Sequence, residues 1–167
     1  TPYIYNSKLS PEFTFSIYKQ DSTFLNTHLN VNLKYQIKNN ANLFVSFDSE
    51  NSENNTKTST NNISTYKNYF LGFGYEYKIL KNDLFRNDLF FVKINPSFGK
   101  RKTIDNAYQQ IKIATTLTYL LDLNRKNSIY FRNETGILNS TNYFDNELYR
   151  IGGNNSIRGF NEQSIFV

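Results

Sequence analysis

One run, Arg150-Ile151-Gly152-Gly153-Asn154-Asn155-Ser156-Ile157-Arg158-Gly159-Phe160, gathers the residue types from which a specific anchor is built. Gly152, Gly153 and Gly159 open bends that residues with a Cβ resist. Arg158 carries a planar fork of N–H donors that can grip a carboxylate with two parallel hydrogen bonds. Ile157 and Phe160 flank it with apolar surface that can pack a loop tip against a wall. Such a set anchors a loop and breaks no bond. His28 is the single histidine and cysteine is absent, so neither a multi-histidine nor a thiolate metal site can be assembled. The expected role of His28 is that of a polar wall residue. Glu12, Asp48, Glu76 and Glu134 have no spacing that brings two carboxylates together for acid–base work. Gly72-Phe73-Gly74 is not a phosphate loop, since no helix and no correctly placed lysine follow it; it relieves crowding on one face or lets a wall bend. The chain is therefore expected to be no enzyme and to hold no metal or cofactor.

The elements that must position the loop have a period of two. From Phe24 to Ile37, Leu25, Thr27, Leu29, Val31, Leu33, Tyr35 and Ile37 alternate with Asn26, His28, Asn30, Asn32, Lys34 and Gln36. Leu43, Val45 and Phe47 oppose Asn42, Ser46 and Asp48; Leu71, Phe73, Tyr75, Tyr77 and Ile79 oppose Gly72, Gly74, Glu76 and Lys78. Further on, Phe90, Val92, Ile94 and Phe98 oppose Lys93, Asn95 and Ser97, and Ile111, Ile113, Leu117, Tyr119 and Leu121 oppose Gln110, Lys112, Thr116 and Thr118. Shorter strands are expected at Glu12 to Lys19 and Ser128 to Ile137. Several runs exceed the usual five or six residues and approach the roughly 9 to 11 needed to cross a bilayer obliquely. Phe44 and Leu120 interrupt the polar face, and Pro96 marks an edge or a bulge because it cannot donate to a ladder.

The connections alternate in length. Lys38-Asn39-Asn40, Lys81 to Asn87 and Asp122 to Asn127 are compact; Asp48 to Asn62 and Leu138 to Phe166 are long, with Asn51 to Asn62 expected as a surface loop. Short turns at one rim and long loops at the other are how an outer-membrane barrel treats its periplasmic and extracellular sides. Tyr35, Tyr75, Tyr77 and Tyr119 fall near one rim and Tyr66 and Tyr69 near the other, as interfacial rings would.

Composition agrees with a wall of alternating faces. Hydrophobic residues make up only 38% and mean hydropathy is −0.60, yet 17% of residues are aromatic; a barrel strand averages a lipid-facing and a lumen-facing set, so its mean stays low. No apolar run reaches the roughly 18 residues of a membrane-spanning helix. A net charge of +5 invites nucleic acid, but the lysines and arginines are scattered and form no reading module, so no nucleic-acid partner is expected. An outer-membrane protein carries a leader when synthesised, so Thr1-Pro2 is expected not to be the native start, and the sequence to be a processed form or a piece.

The Gly152-Gly153 pair and Ile157-Arg158-Gly159-Phe160 resemble the sixth extracellular loop of the outer-membrane assembly-factor superfamily, the BamA/TamA-like barrels. The resemblance is confined to those eleven residues, with the strand pattern alone elsewhere. It implies an all-β, antiparallel transmembrane barrel of about sixteen strands, of which residues 1–167 would form one partial stretch of about 7–8 strands, roughly the fifth to the twelfth. The closing strands and periplasmic POTRA repeats would lie outside it. It implies that the loop folds into the lumen, with Arg158 reaching an acidic wall residue; Asp48, Glu76 and Glu134 are the lumen candidates in this chain. The implied location is the bacterial outer membrane, and the implied work is insertion, assembly or translocation of proteins there. The implied partners are outer-membrane lipids, unfolded client barrels, and accessory lipoproteins or other envelope subunits. Two-partner secretion transporters carry a similar loop motif, and a complete eight-stranded passive barrel fits the strand pattern alone; both alternatives stay open.

Overall fold

The computed structural model describes residues 7–20, 23–55, 62–80, 88–124, 127–151 and 165–166. Seven strands pair in chain order in one open antiparallel sheet: β1 (Leu9–Gln20), β2 (Phe24–Lys38), β3 (Ala41–Asn54), β4 (Tyr66–Leu80), β5 (Asp88–Lys102), β6 (Ala107–Asp122) and β7 (Ser128–Asn139). A 3₁₀ turn at Asp145–Glu147 follows, then a separate two-residue ladder of β8 (Arg150–Ile151) with β9 (Ile165–Phe166). No α-helix occurs among the described residues. Ile165–Phe166 pairs with Arg150–Ile151 and not with β7.

Register follows from the alternation. Phe13, Val31, Phe47, Leu71, Phe98 and Ile111 form one row across six strands, and Glu12, Asn32, Ser46, Gly72, Ser97 and Lys112 form the neighbouring row on the opposite face. A slip of one residue would exchange the two faces, so this pairing is strongly specified. The sheet is inverted relative to one that buries its apolar side. Phe13 is 71% exposed and Phe73 61%, whereas Ser46, Ser52, Asn68, Gln110 and Arg101 are buried. The polar face is also concave, because Ser16 and Tyr18 of β1 line the same cavity as Leu138 of β7.

The strands are longer than hydropathy alone indicates. β3 runs on to Asn54, so Ser49–Asn54 is strand and not the start of a loop. There both faces are polar and the alternation fades, but the ladder continues, with Asn54 opposite Phe24 and Ser52 opposite Tyr66. Pro96 sits inside the sheet. The β4–β5 register stops at Gly72↔Ser97 and resumes at Tyr75↔Ile94, so the missing donor falls in a local gap on that side while Pro96 keeps its place opposite Ile113 of β6.

The aromatics on the polar face have seats. Phe44 lies opposite Gly74 and Phe70 opposite Gly99, and a Cβ on either glycine would collide with the ring of its partner. A bare glycine lets a large ring lie flat on the neighbouring strand, which explains why Gly74 follows Phe73 and how Phe44 is tolerated inside.

Candidate functional site

Beyond β7 the segment Ser140–Tyr149 turns back across the upper end of the concave face, forming a strap. Its 3₁₀ turn delivers Asn146 and Glu147 into the polar face, where local hydrophobic pattern has no say and hydrogen bonding decides position. Asn146 is fully buried. Its Nδ2 donates to Ser52 Oγ and to the Ser64 carbonyl, both at 2.7 Å, and its Oδ1 accepts from Ser64 N at 3.2 Å. Its carbonyl accepts from Tyr66 Oη at 2.9 Å and from Asn26 Nδ2 at 3.2 Å. Asn26 and Tyr66 both also donate to Glu50 Oε1, and Ser52 donates to Asn26 Oδ1. One residue thus joins β3 through its side chain, and β2 and β4 through its backbone carbonyl, to the strap.

Glu147 does the same for the other half of the sheet. Arg101 Nη1 of β5 donates to Glu147 Oε2, and the two side chains are 0% and 1% exposed. Glu147 Oε1 accepts from Gln110 Nε2 of β6 at 2.5 Å and from Asn68 Nδ2 of β4 at 3.2 Å. The Arg101 cation lies 4.3 Å from the centroid of the Phe144 ring and 5.1 Å from that of Tyr108, and Nη1 also donates to the Asn142 carbonyl at 2.8 Å. Rings and carboxylate offset part of the loss of water around this buried guanidinium, whose Nε and Nη2 have no hydrogen-bond partner among the described residues.

The strap ends on a ring. Tyr149 packs on Gly136 of β7, where any Cβ would meet it, and Lys112 of β6 lies 5.7 Å from its centroid. Burial pushes the Tyr149 phenol up, and the Glu50 carboxylate adds to the shift. Between strap and wall lies a cavity of roughly 280 Å³ lined by Tyr18, Asn26, His28, Asn68, Lys112 and Tyr149 among others. Its charges are of mixed sign, and no cluster that could hold a metal occurs among the described residues.

The residues singled out in the sequence divide cleanly. Asp48, Glu76 and Glu134 all lie on the polar face, and each already has a partner. Asp48 accepts from Asn30 at 2.7 Å and contacts His28 Nε2 at 3.2 Å. Glu76 binds Lys34 and Asn42, each at 3.3 Å, and Lys34 also pairs with Glu12 at 3.1 Å. Glu134 accepts from Arg132 two residues away on β7. His28 lies on the same polar face of β2. Gly152, Gly153, Ile157, Arg158, Gly159 and Phe160 lie outside the described residues. Tyr66 is a correction: it belongs to no rim of interfacial rings but is buried beneath the strap, because even-numbered β4 positions face inward.

Arg101, Asn146 and Glu147 carry the site and were not singled out by the sequence. Arg101 continues the inward parity of Lys93, Asn95, Ser97 and Gly99, which was the available signal. The charge order is the reverse of that implied for Arg158, since here the strap supplies the carboxylate and the wall the guanidinium. No protein family, curated protein or solved structure matches the chain.

Proposed function

We propose that this chain is a stretch of the wall of a bacterial outer-membrane β-barrel of the BamA/TamA type, working in the insertion, assembly or translocation of other proteins. The observation that carries the reading is the inverted sheet: large apolar side chains cover the convex face while Arg101, Glu147 and Asn146 are buried on the concave one. A convex apolar face of this extent needs a cover, and lipid covers it without a second protein layer. Meander topology, strands of 12 to 16 residues and the mixed-charge concave face support the same reading.

The mechanism is mechanical. A client strand is templated on an exposed sheet edge through backbone hydrogen bonds, and local membrane thinning eases its entry. Opening an edge weakens the wall. The strap resists that by joining β2, β3, β4, β5 and β6 through Asn146 and Glu147, and the resemblance implies a further anchor from Arg158. Membrane lipids, unfolded client barrels and accessory lipoproteins are the partners of this reading.

The test uses the intact protein reconstituted in lipid vesicles. Its presence should raise the fraction of an unfolded client barrel that inserts, and Arg158→Ala should lower that fraction while His28→Ala leaves it unchanged. A protein that stays monodisperse in buffer without detergent, or one whose Arg158→Ala variant inserts clients normally, overturns the proposal.

A further inference from the structure

On the convex face the apolar rows change character at the end of the sheet beneath the strap. Lys67 of β4 stands directly opposite Lys102 of β5, and Lys100 stands between Tyr69 of β4 and Gln109 of β6. All three lysines are exposed on this face. Immediately next to them is a groove of roughly 550 Å³, lined by Phe47, Tyr69, Leu71, Phe98 and Ile111, with Lys100 and Lys102 at its polar end.

The cluster is unbalanced. Like charges placed directly across a ladder destabilise it, so a Lys67–Lys102 pair costs stability unless an anion shares the site. Among the described residues none of the three lysines is in an ion pair. Among the described residues neither acid at this end is in an ion pair with them: Glu53 accepts from Asn51 at 3.3 Å, and Asp105 sits in the β5–β6 turn.

We infer that this is a seat for a phosphate-bearing lipid, its headgroup on Lys67, Lys100 and Lys102 and an acyl chain along Phe47, Leu71, Phe98 and Ile111. The inference rests on the reading of the convex face as lipid-facing and adds a specific lipid chemistry at one place on it. A cationic edge meeting an apolar floor is the complement of a lipid, which joins an anionic head to a hydrocarbon tail. A soluble anion would use the lysines and leave the groove unused; a neutral lipid would use the groove and leave the lysines unneutralised.

The sequence contains no tryptophan, so Phe98→Trp places a single reporter in the groove. The full chain carrying it is folded into phosphatidylcholine vesicles containing a minority of phosphatidylglycerol, with bromine on the chains of one lipid or the other. Brominated phosphatidylglycerol should quench the reporter beyond its share of the bilayer. Replacing lysine by Gln at 67, 100 and 102 should reduce that preference by about fivefold per lysine, whereas Arg at all three positions should keep it. Circular dichroism in the same vesicles checks that each variant has folded, and single Gln variants serve if the triple does not. Quenching in proportion to bilayer composition overturns the seat and leaves the wall reading intact. Preference that survives the folded triple Gln variant, or that inorganic phosphate abolishes where chloride of equal ionic strength does not, also overturns it. No quenching by either lipid overturns the wall reading itself.

Discussion

Arg101 of β5 and Glu147 of the strap form a buried ion pair, 0% and 1% exposed, between groups that lie 46 residues apart in sequence. A buried pair is weak evidence of net stability, but removing one member leaves the other charged and unmatched. Arg101→Leu and Glu147→Leu should each cost about 3–5 kcal/mol. The double variant should cost clearly less than the sum, because neither charge is then stranded. Urea unfolding of the protein in detergent, run as a double-mutant cycle, reads the coupling. Strict additivity would mean that the contact does not hold the strap.

Gly136 and Tyr149 give a steric test of the same segment. An added Cβ at 136 would meet the Tyr149 ring at 2.5–2.9 Å, so Gly136→Val should displace the strap's end at a cost of about 1–3 kcal/mol. Protease cleavage within residues 140–149 should rise in this variant. Adding Tyr149→Ala should recover much of the stability but not the protection, since the clash is gone and the anchor with it. Unchanged cleavage in Gly136→Val would show that the ring does not pin the strap.

Alternation made the faces legible, because the two sides of a sheet act on alternate residues separately and leave a mark every second position. That is why the inward set containing Asp48, Glu76 and Glu134 was readable from the chain. Strand ends were not: from Ser49 to Asn54 both faces are polar, so no alternation marks the segment, although ladder bonds to β2 and β4 continue along it. Nor was the site. Asn146 looks like any loop asparagine, and its role depends on Ser52, Ser64 and Tyr66, which reach it only once the sheet has curved and the strap has turned back. The Phe44–Gly74 pairing lay between the two limits, visible as an anomaly on one strand and a relief on another, and joined only by register.

Tyr149 should make the strap sensitive to alkali. Its phenol is raised above the ordinary 10.0 by burial and by Glu50, so the folded state holds the proton more tightly than the unfolded chain. That contribution is complete below the ordinary tyrosine value and is lost as pH climbs through the raised one. Its hydroxyl has no hydrogen-bond partner among the described residues, so Tyr149→Phe should be neutral or mildly stabilising at neutral pH. The same variant should flatten the alkaline decline in protease protection of residues 140–149. A decline identical in Tyr149→Phe would assign it to other groups.

The two faces should respond oppositely to charge, and this separates a lipid-covered wall from a sheet in water. Phe73 lies on the convex face, 61% exposed, in register with Val45 of β3. In a bilayer an arginine near mid-depth on that face costs about 2–4 kcal/mol, and snorkelling along the strand recovers only part of it. Thr116 faces the concave side between Lys93 and Glu134, where a new guanidinium finds water and a carboxylate, so Thr116→Arg should cost less than about 1 kcal/mol. Reversible folding into phosphatidylcholine vesicles, followed by urea titration, gives both values on one scale. In a sheet whose convex face meets water, Phe73→Arg would be close to neutral, because a ring already 61% exposed loses little by giving way to a solvated cation. Equal and small costs at 73 and 116 would therefore remove lipid from the convex face, while a large cost at 73 alone is the outcome that the proposed lipid-covered wall requires.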